Sequence, residues 1–155
     1  MHPEIETLLV QAENRFLKAD ELTAFKRYVA TLTHRLKTYE FLRDQEIAIF
    51  QSVADQLQAA FPDAKQEVLE RSLKHWLLAL RHCAMAMLLN DPVFLEERLL
   101  SWLSGLVQAY QSQDLETKTY QLLQTRLKEL LSEQALALVQ PFLEQAQEML
   151  SKNEA

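Results

Sequence analysis

One glycine in 155 residues, Gly105, constrains this chain more than any other feature. A glycine-rich phosphate loop needs several glycines at fixed spacing, so neither a Walker loop nor a dinucleotide-binding turn can exist here. Prolines number only four, and Leu, Ala, Glu, Gln and Lys are abundant. That is a helix-forming composition. Apolar residues recur at helical spacing almost throughout, and no alternating run of strand period appears. The fold class expected is therefore all-α, with seven or eight helices.

The breaks follow from local chemistry. A first helix is expected from Pro3 to Phe16, with proline suited to a first turn. Asp20 is placed to cap a second, which carries Leu22, Phe25, Tyr28, Val29, Leu32 and Leu36 on one face. Its pattern continues through Ile47, Phe50, Val53 and Leu57 and stops before Pro62, which pushes Phe61 out of the helical region. The next helix spans Ala64 to Leu89. Asn90-Asp91-Pro92 then forms a turn, with Asp91 as the cap of a helix that reaches Tyr110. A polar break, Gln111 to Asp114, precedes helices over Leu115–Leu131 and Ser132–Met149. Ser132 is a plausible cap, and Pro141 is expected to kink the last helix. The tail from Ser151 to Ala155 is expected to fray. The length suits one domain over residues 1–155, with residues 1–18 as an N-terminal helical extension.

Several functions are disfavoured at once. The net charge is −6 and the pI near 5.2, against the clustered Lys and Arg that a nucleic-acid partner needs. One cysteine allows no internal disulfide. No run of about 18 uncharged apolar residues is present, so no membrane-spanning helix is expected. The N-terminus, MHPEIETLL, is acidic and lacks the basic region of a secretory leader. No carboxylate pair, Glu96-Glu97 included, is distinguished by an apolar setting. With no glycine-containing nucleophile elbow either, no enzymatic activity is expected.

The stretch from Ser72 to Pro92 concentrates the reactive side chains: His75, His82 and Cys83. His75 and His82 share a helix face two turns apart, about 10 Å, too far for one metal ion. No metal site is expected. Ser72, Ala79 and Ala86 on the same face suggest close approach of another helix, or a slot. Trp76, Leu77, Leu80, Met87 and Leu88 read as core packing. Cys83 reads as a small buried apolar residue.

Ordered motifs carry a family resemblance. Gln11-Ala12-Glu13-Asn14-Arg15-Phe16-Leu17, followed by Glu21-Leu22, resembles the N-terminal segment of the phycobiliproteins. Leu80-Arg81-His82-Cys83-Ala84-Met85-Ala86-Met87-Leu88-Leu89-Asn90-Asp91 is similar to that family's Leu-Arg-x-x-Thr-Tyr-x-x-x-x-Gly-Asp run. Glu96-Glu97-Arg98-Leu99-Leu100, Leu106-Val107-Gln108-Ala109-Tyr110 and Phe142-Leu143-Glu144-Gln145-Ala146 resemble later segments in the same order. The resemblance implies a globin-like body with an N-terminal helical pair used for subunit pairing.

The departures from the family bear on function. Aligning Leu80-Arg81 with the family's Leu-Arg places Ser72 where the pigment-bearing cysteine of Cys-x-Arg-Asp stands. Lys74 and His75 replace the Arg and Asp that hold the bilin. A serine hydroxyl is a poor substitute for a thiolate in forming the thioether. An imidazole is a poor substitute for a carboxylate accepting from pyrrole N–H groups. The loop after Pro62 is also shorter than the family's. Cys83 lies about 16 Å along the helix from Ser72 and cannot replace the missing cysteine. The expectation is a chain without covalent pigment and without a required cofactor. The alternative is a globin-like sensor holding haem or a non-covalent bilin near His75 and His82.

The N-terminal helix carries an apolar stripe, Ile5, Leu8, Leu9, Ala12 and Phe16. A lone helix of this length is marginal in water, so it must dock on its own body or on another subunit. Those five residues are the expected partner-binding set. By the resemblance, the partners are phycobiliproteins, linkers or photosystem proteins, with a homodimer as an alternative. The compartment is the cyanobacterial cytosol or plastid stroma, at or near the thylakoid surface.

Overall fold

The computed structural model describes residues 2–151, and every element in it is helical. The expected fraying beyond Ser151 falls outside the described residues. In chain order the helices are α1 (Pro3–Ala12), α2 (Ala19–Ala60), α3 (Gln66–Leu89), α4 (Pro92–Leu95), a π-helical turn (Glu96–Leu100), α5 (Ser101–Ala109), α6 (Gln113–Leu130) and α7 (Glu133–Ser151). None is long and apolar enough to cross a membrane.

α1 ends at Ala12, one turn before the expected Phe16. The cause is a polar knot in the connection that follows. Arg15 binds Glu21 through both guanidinium nitrogens, at 2.8 and 2.7 Å. Glu21 also accepts from the Lys18 backbone N–H at 2.7 Å. The N-cap of α2 is therefore Lys18, not Asp20, and the third helical residue does the capping. Hydrogen bonding from Arg15, then from the Lys18 amide, lowers the Glu21 carboxyl from its ordinary 4.5 to about 2. A depressed carboxylate stabilises the fold above its unfolded value and loses that contribution as pH falls toward 2. Carbon-detected titration is expected to place Glu21 near 2, and Arg15→Ala to return it toward 4.5.

α2 runs unbroken for 42 residues, about 63 Å. It stops as expected: Phe61, ahead of Pro62, sits at φ −128° and ψ 66°, outside the helical region. The end of α3 also matches expectation. Asn90 takes the left-handed conformation, φ 51°, which asparagine tolerates better than most residues. Asp91 then accepts from the Val93 and Phe94 amides at 3.0 and 3.3 Å to start α4.

The expected continuous helix up to Tyr110 is interrupted by the π-helical turn. An extra residue in one turn shifts the helical phase. Here Leu95, Leu99, Leu100, Leu103 and Val107 all reach the core at 0–1% exposure. Trp102 Nε1 donates to the Arg98 carbonyl inside the turn, at 2.9 Å. Ser132 caps α7 as expected, accepting from the Ala135 amide at 3.1 Å. Pro141 lies within α7, which stays helical on both sides of it.

α3 is the central element, packed against α2, α6 and α7. Trp76, Ala79, Cys83 and Ala86 on it are fully buried. The small residues Ser72, Ala79 and Ala86 are all buried, at 0–1% exposure, on this central helix. Trp76 meets Tyr120 of α6 with ring centroids 5.1 Å apart. A smaller cluster of Leu57, Leu69 and Leu115 closes the end of the fold near Pro62.

Candidate functional site

Ser72 and His75 lie one turn apart on the face of α3 that meets α6. Ser72 is 1% exposed and Glu116, opposite it, is also 1%. The serine hydroxyl donates to Glu116 Oε2 at 3.1 Å and shares a 2.7 Å hydrogen bond with Thr119 Oγ1. His75 Nδ1 is 2.7 Å from Glu116 Oε1. Trp76 Nε1 donates to the Glu116 backbone carbonyl at 3.1 Å, and Thr119 Oγ1 lies 2.8 Å from the Leu115 carbonyl, so its single proton is shared between that carbonyl and the Ser72 oxygen. Ser72, His75, Glu116 and Thr119 are thus linked side chain to side chain inside the core, with Trp76 tied to the Glu116 backbone.

Lys74 turns elsewhere. It lines an open groove of about 370 Å³ between α2 and α3, with Ile47, Phe50, Leu73 and Leu77. Arg81 crosses that groove to Glu46, with Nε and Nη2 at 2.5 and 3.1 Å from the two carboxylate oxygens. The structure therefore separates Lys74 from Ser72 and His75, although the three lie within one helical turn. His82 is half-buried; its Nδ1 lies 2.9 Å from the Leu78 carbonyl, and its ring stacks on Phe94. The two imidazoles thus engage different neighbours, His75 on α6 and His82 on α4. Among the described residues no group of three or more His, Cys, Asp or Glu side chains converges as a metal site.

Cys83 is fully buried, and burial pushes its thiol well above the ordinary range. Its Sγ lies 3.5 Å from the Phe142 carbonyl. Thiolate-directed reagents are expected to leave Cys83 unmodified in the native protein and to label it stoichiometrically in denaturant. Ellman's reagent read with and without guanidinium checks this; rapid native labelling would contradict the burial.

The N-terminal stripe divides. Ile5 and Leu8 are buried against the chain itself, at 4% and 7% exposure. Ala12 is exposed, as are Leu9 and Phe16, at 47% and 100%. The other side of α1 is thus available to a partner while its inner side holds the helix in place.

Two residues of this architecture escaped the sequence reading. Glu116 looked like an ordinary helical carboxylate. The available signal was its register, because Glu116, Thr119, Tyr120, Leu123 and Leu127 fall on one face at spacings of three and four. Arg35 was assigned no role by its sequence neighbourhood, yet it is 2% exposed. Its guanidinium donates to the Leu88 carbonyl and, at 3.0 Å, to that of Tyr28, while Nε donates to Thr31 Oγ1 at 3.2 Å.

A search of curated proteins finds no match. The chain does match the phycobilisome protein family over residues 8–150, nearly its whole length. That match gives the described helices the globin-like all-α fold expected from the motifs. The chain belongs to the phycobilisome protein family.

Proposed function

We propose that this chain is a non-pigmented, non-catalytic member of its family, a single globin-like domain that works by protein–protein binding. It acts in assembly, turnover or regulation of the phycobilisome or the photosynthetic apparatus, in the cyanobacterial cytosol or plastid stroma. Its partners are phycobiliproteins, linkers or photosystem proteins. The observation that carries this reading is the state of Ser72. The residue aligned with the pigment-bearing cysteine lies inside the core, with its hydroxyl committed to Glu116 and Thr119. A tetrapyrrole would have to displace that buried network to reach it. Lys74, aligned with a pigment-holding arginine, lines a different groove.

The test has two parts. Co-expression with bilin-synthesising enzymes and a bilin lyase is expected to give a chain of unmodified mass and no zinc-induced fluorescence on a denaturing gel. A covalent bilin would overturn the non-pigmented reading. The tagged chain is expected to retain phycobilisome or photosystem chains from a cyanobacterial lysate. Leu9→Asp with Phe16→Asp is expected to abolish that retention at unchanged helicity, since both side chains are exposed. Retention unaffected by the double variant would remove α1 from the interface.

A further inference from the structure

The outward face of α5 serves neither the core nor the Ser72 site. With the π-helical turn ahead of it, Leu99, Leu100, Leu103 and Val107 point into the core at 0–1% exposure. Two rows of residues at i, i+4 spacing are left facing out. One is large: Trp102, Leu106 and Tyr110, at 46%, 40% and 52% exposure. The other, beside it, is small: Ser101, Gly105 and Ala109, all exposed. Such rows are the ridges and grooves by which helices pack on one another. Gly105, the sole glycine, lies inside this helix with nothing within 4 Å of where a Cβ would stand. Its own chain has no steric need of a glycine there, although glycine disfavours a helix more than any residue but proline.

The face is also free of charge. From Leu99 to Gln113 there is no Asp, Glu, Lys or Arg, the longest such run in a chain of which 25% is charged. Each end of the run carries both signs. Glu97 and Arg98 stand at one end. Asp114 stands at the other, with Arg71 lying 3.9 Å over the Tyr110 ring. The Trp102 indole already donates its N–H to the Arg98 carbonyl at 2.9 Å, so covering the ring strands no donor.

We propose that the outward face of α5 pairs with the same face of a second copy of this chain, antiparallel across a two-fold axis. A two-fold contact needs one patch that is complementary to itself. This face supplies both halves of the fit. The ridge of Trp102, Leu106 and Tyr110 on one copy enters the groove of Ser101, Gly105 and Ala109 on the other, the arrangement in which i, i+4 rows interlock on both helices. Gly105 then lets the two backbones approach closely. A charged partner helix would find nothing opposite to pair with. Two copies of net charge −6 meet here through neutral surface, and the antiparallel sense sets ends of mixed sign together. A face of nine residues covers less than the roughly 800 Å² per partner of a standard interface, so the dimer is a weak one. The inference uses no residue of α1 and does not depend on the pigment-free reading.

Sedimentation equilibrium of the full chain is expected to show a monomer–dimer equilibrium with a Kd of about 50 μM. Leu106→Asp is expected to leave a monomer at unchanged circular dichroism. Gly105→Ala separates helix propensity from pairing: the Tm of the dilute monomer is expected to rise by about 3 °C, while the dimer Kd rises about tenfold. Leu9→Asp with Phe16→Asp is expected to dimerise as the wild type does. The proposal is overturned if the chain stays monomeric at about 500 μM, ten times the expected Kd. It is overturned if Leu106→Asp associates like the wild type, if Gly105→Ala leaves the Kd unchanged, or if the α1 double variant abolishes the dimer. It is equally overturned if the chain stays monomeric and instead binds phosphatidylglycerol vesicles, or another protein, in a manner that Leu106→Asp abolishes.

Discussion

Glu116→Ala is expected to lower the stability of the fold by about 4 kcal/mol, because removing one member of a buried hydrogen-bonded network leaves several others without partners. In a chain of this size that corresponds to a fall in Tm of about 10 °C. The reason is local. Ser72, His75 and Thr119 are each buried and each organised directly or indirectly by this one carboxylate. Ser72 and Thr119 are 1% and 0% exposed and cannot reach bulk water without separating α3 from α6. Glu116→Gln keeps the shape and one acceptor, so its cost is expected to be about 1–2 kcal/mol. Ser72→Ala removes a single hydroxyl and is expected to cost about 1 kcal/mol. The double variant His75→Leu/Glu116→Met removes both ends of the pair and is expected to be more stable than Glu116→Ala. Denaturant unfolding monitored by circular dichroism measures the series. Equal stability of Glu116→Ala and wild type would mean that the network is not formed in solution.

Arg35→Ala has the second-largest expected effect, about 3 kcal/mol, with a distinct signature. The guanidinium is buried, and no carboxylate faces it among the described residues. Its charge is balanced by carbonyl oxygens, including that of Leu88 in the last turn of α3, the negative end of that helix. The Tyr28 ring lies 4.8 Å beneath it. Arg35 thereby ties the N-terminal half of α2 to the end of α3, and α1 packs on that same half. Its loss is expected to free the segment locally. Amide exchange in α1 and in residues 19–34 should accelerate more than exchange in α3 or α7. Lys at this position has no planar fork to span three acceptors and is expected to recover only part of the loss. Uniform acceleration across all helices would show that Arg35 acts on global stability alone.

Much of the fold was legible before the structure. The helix boundaries at Phe61-Pro62, at Asn90-Asp91-Pro92 and at Ser132 follow from backbone sterics and capping, which act within four or five residues. The burial of Trp76, Leu80, Cys83 and Met87 follows from period alone. The π-helical turn was not legible, because it exists to phase Leu95, Leu99 and Leu100 into a core built by other helices. The end of α1 was misplaced for a related reason. Arg15 and Glu21 are six residues apart, and only the turn between the helices brings them together.

The candidate site divides in the same way. Sequence by itself determined that this is an all-helical chain with no phosphate loop, no disulfide and no cysteine at the pigment-aligned position, since these are properties of residue type and spacing. Only the tertiary structure decided where Ser72, Lys74 and His75 point. Three residues within one turn face a buried carboxylate, an open groove and that same carboxylate again, depending on which helix lies opposite. Tertiary packing also split the N-terminal stripe and left Leu22, Val29, Leu32 and Leu36 of α2 exposed. Periodicity marks an apolar face but does not say what covers it; that depends on contacts between residues far apart in the chain.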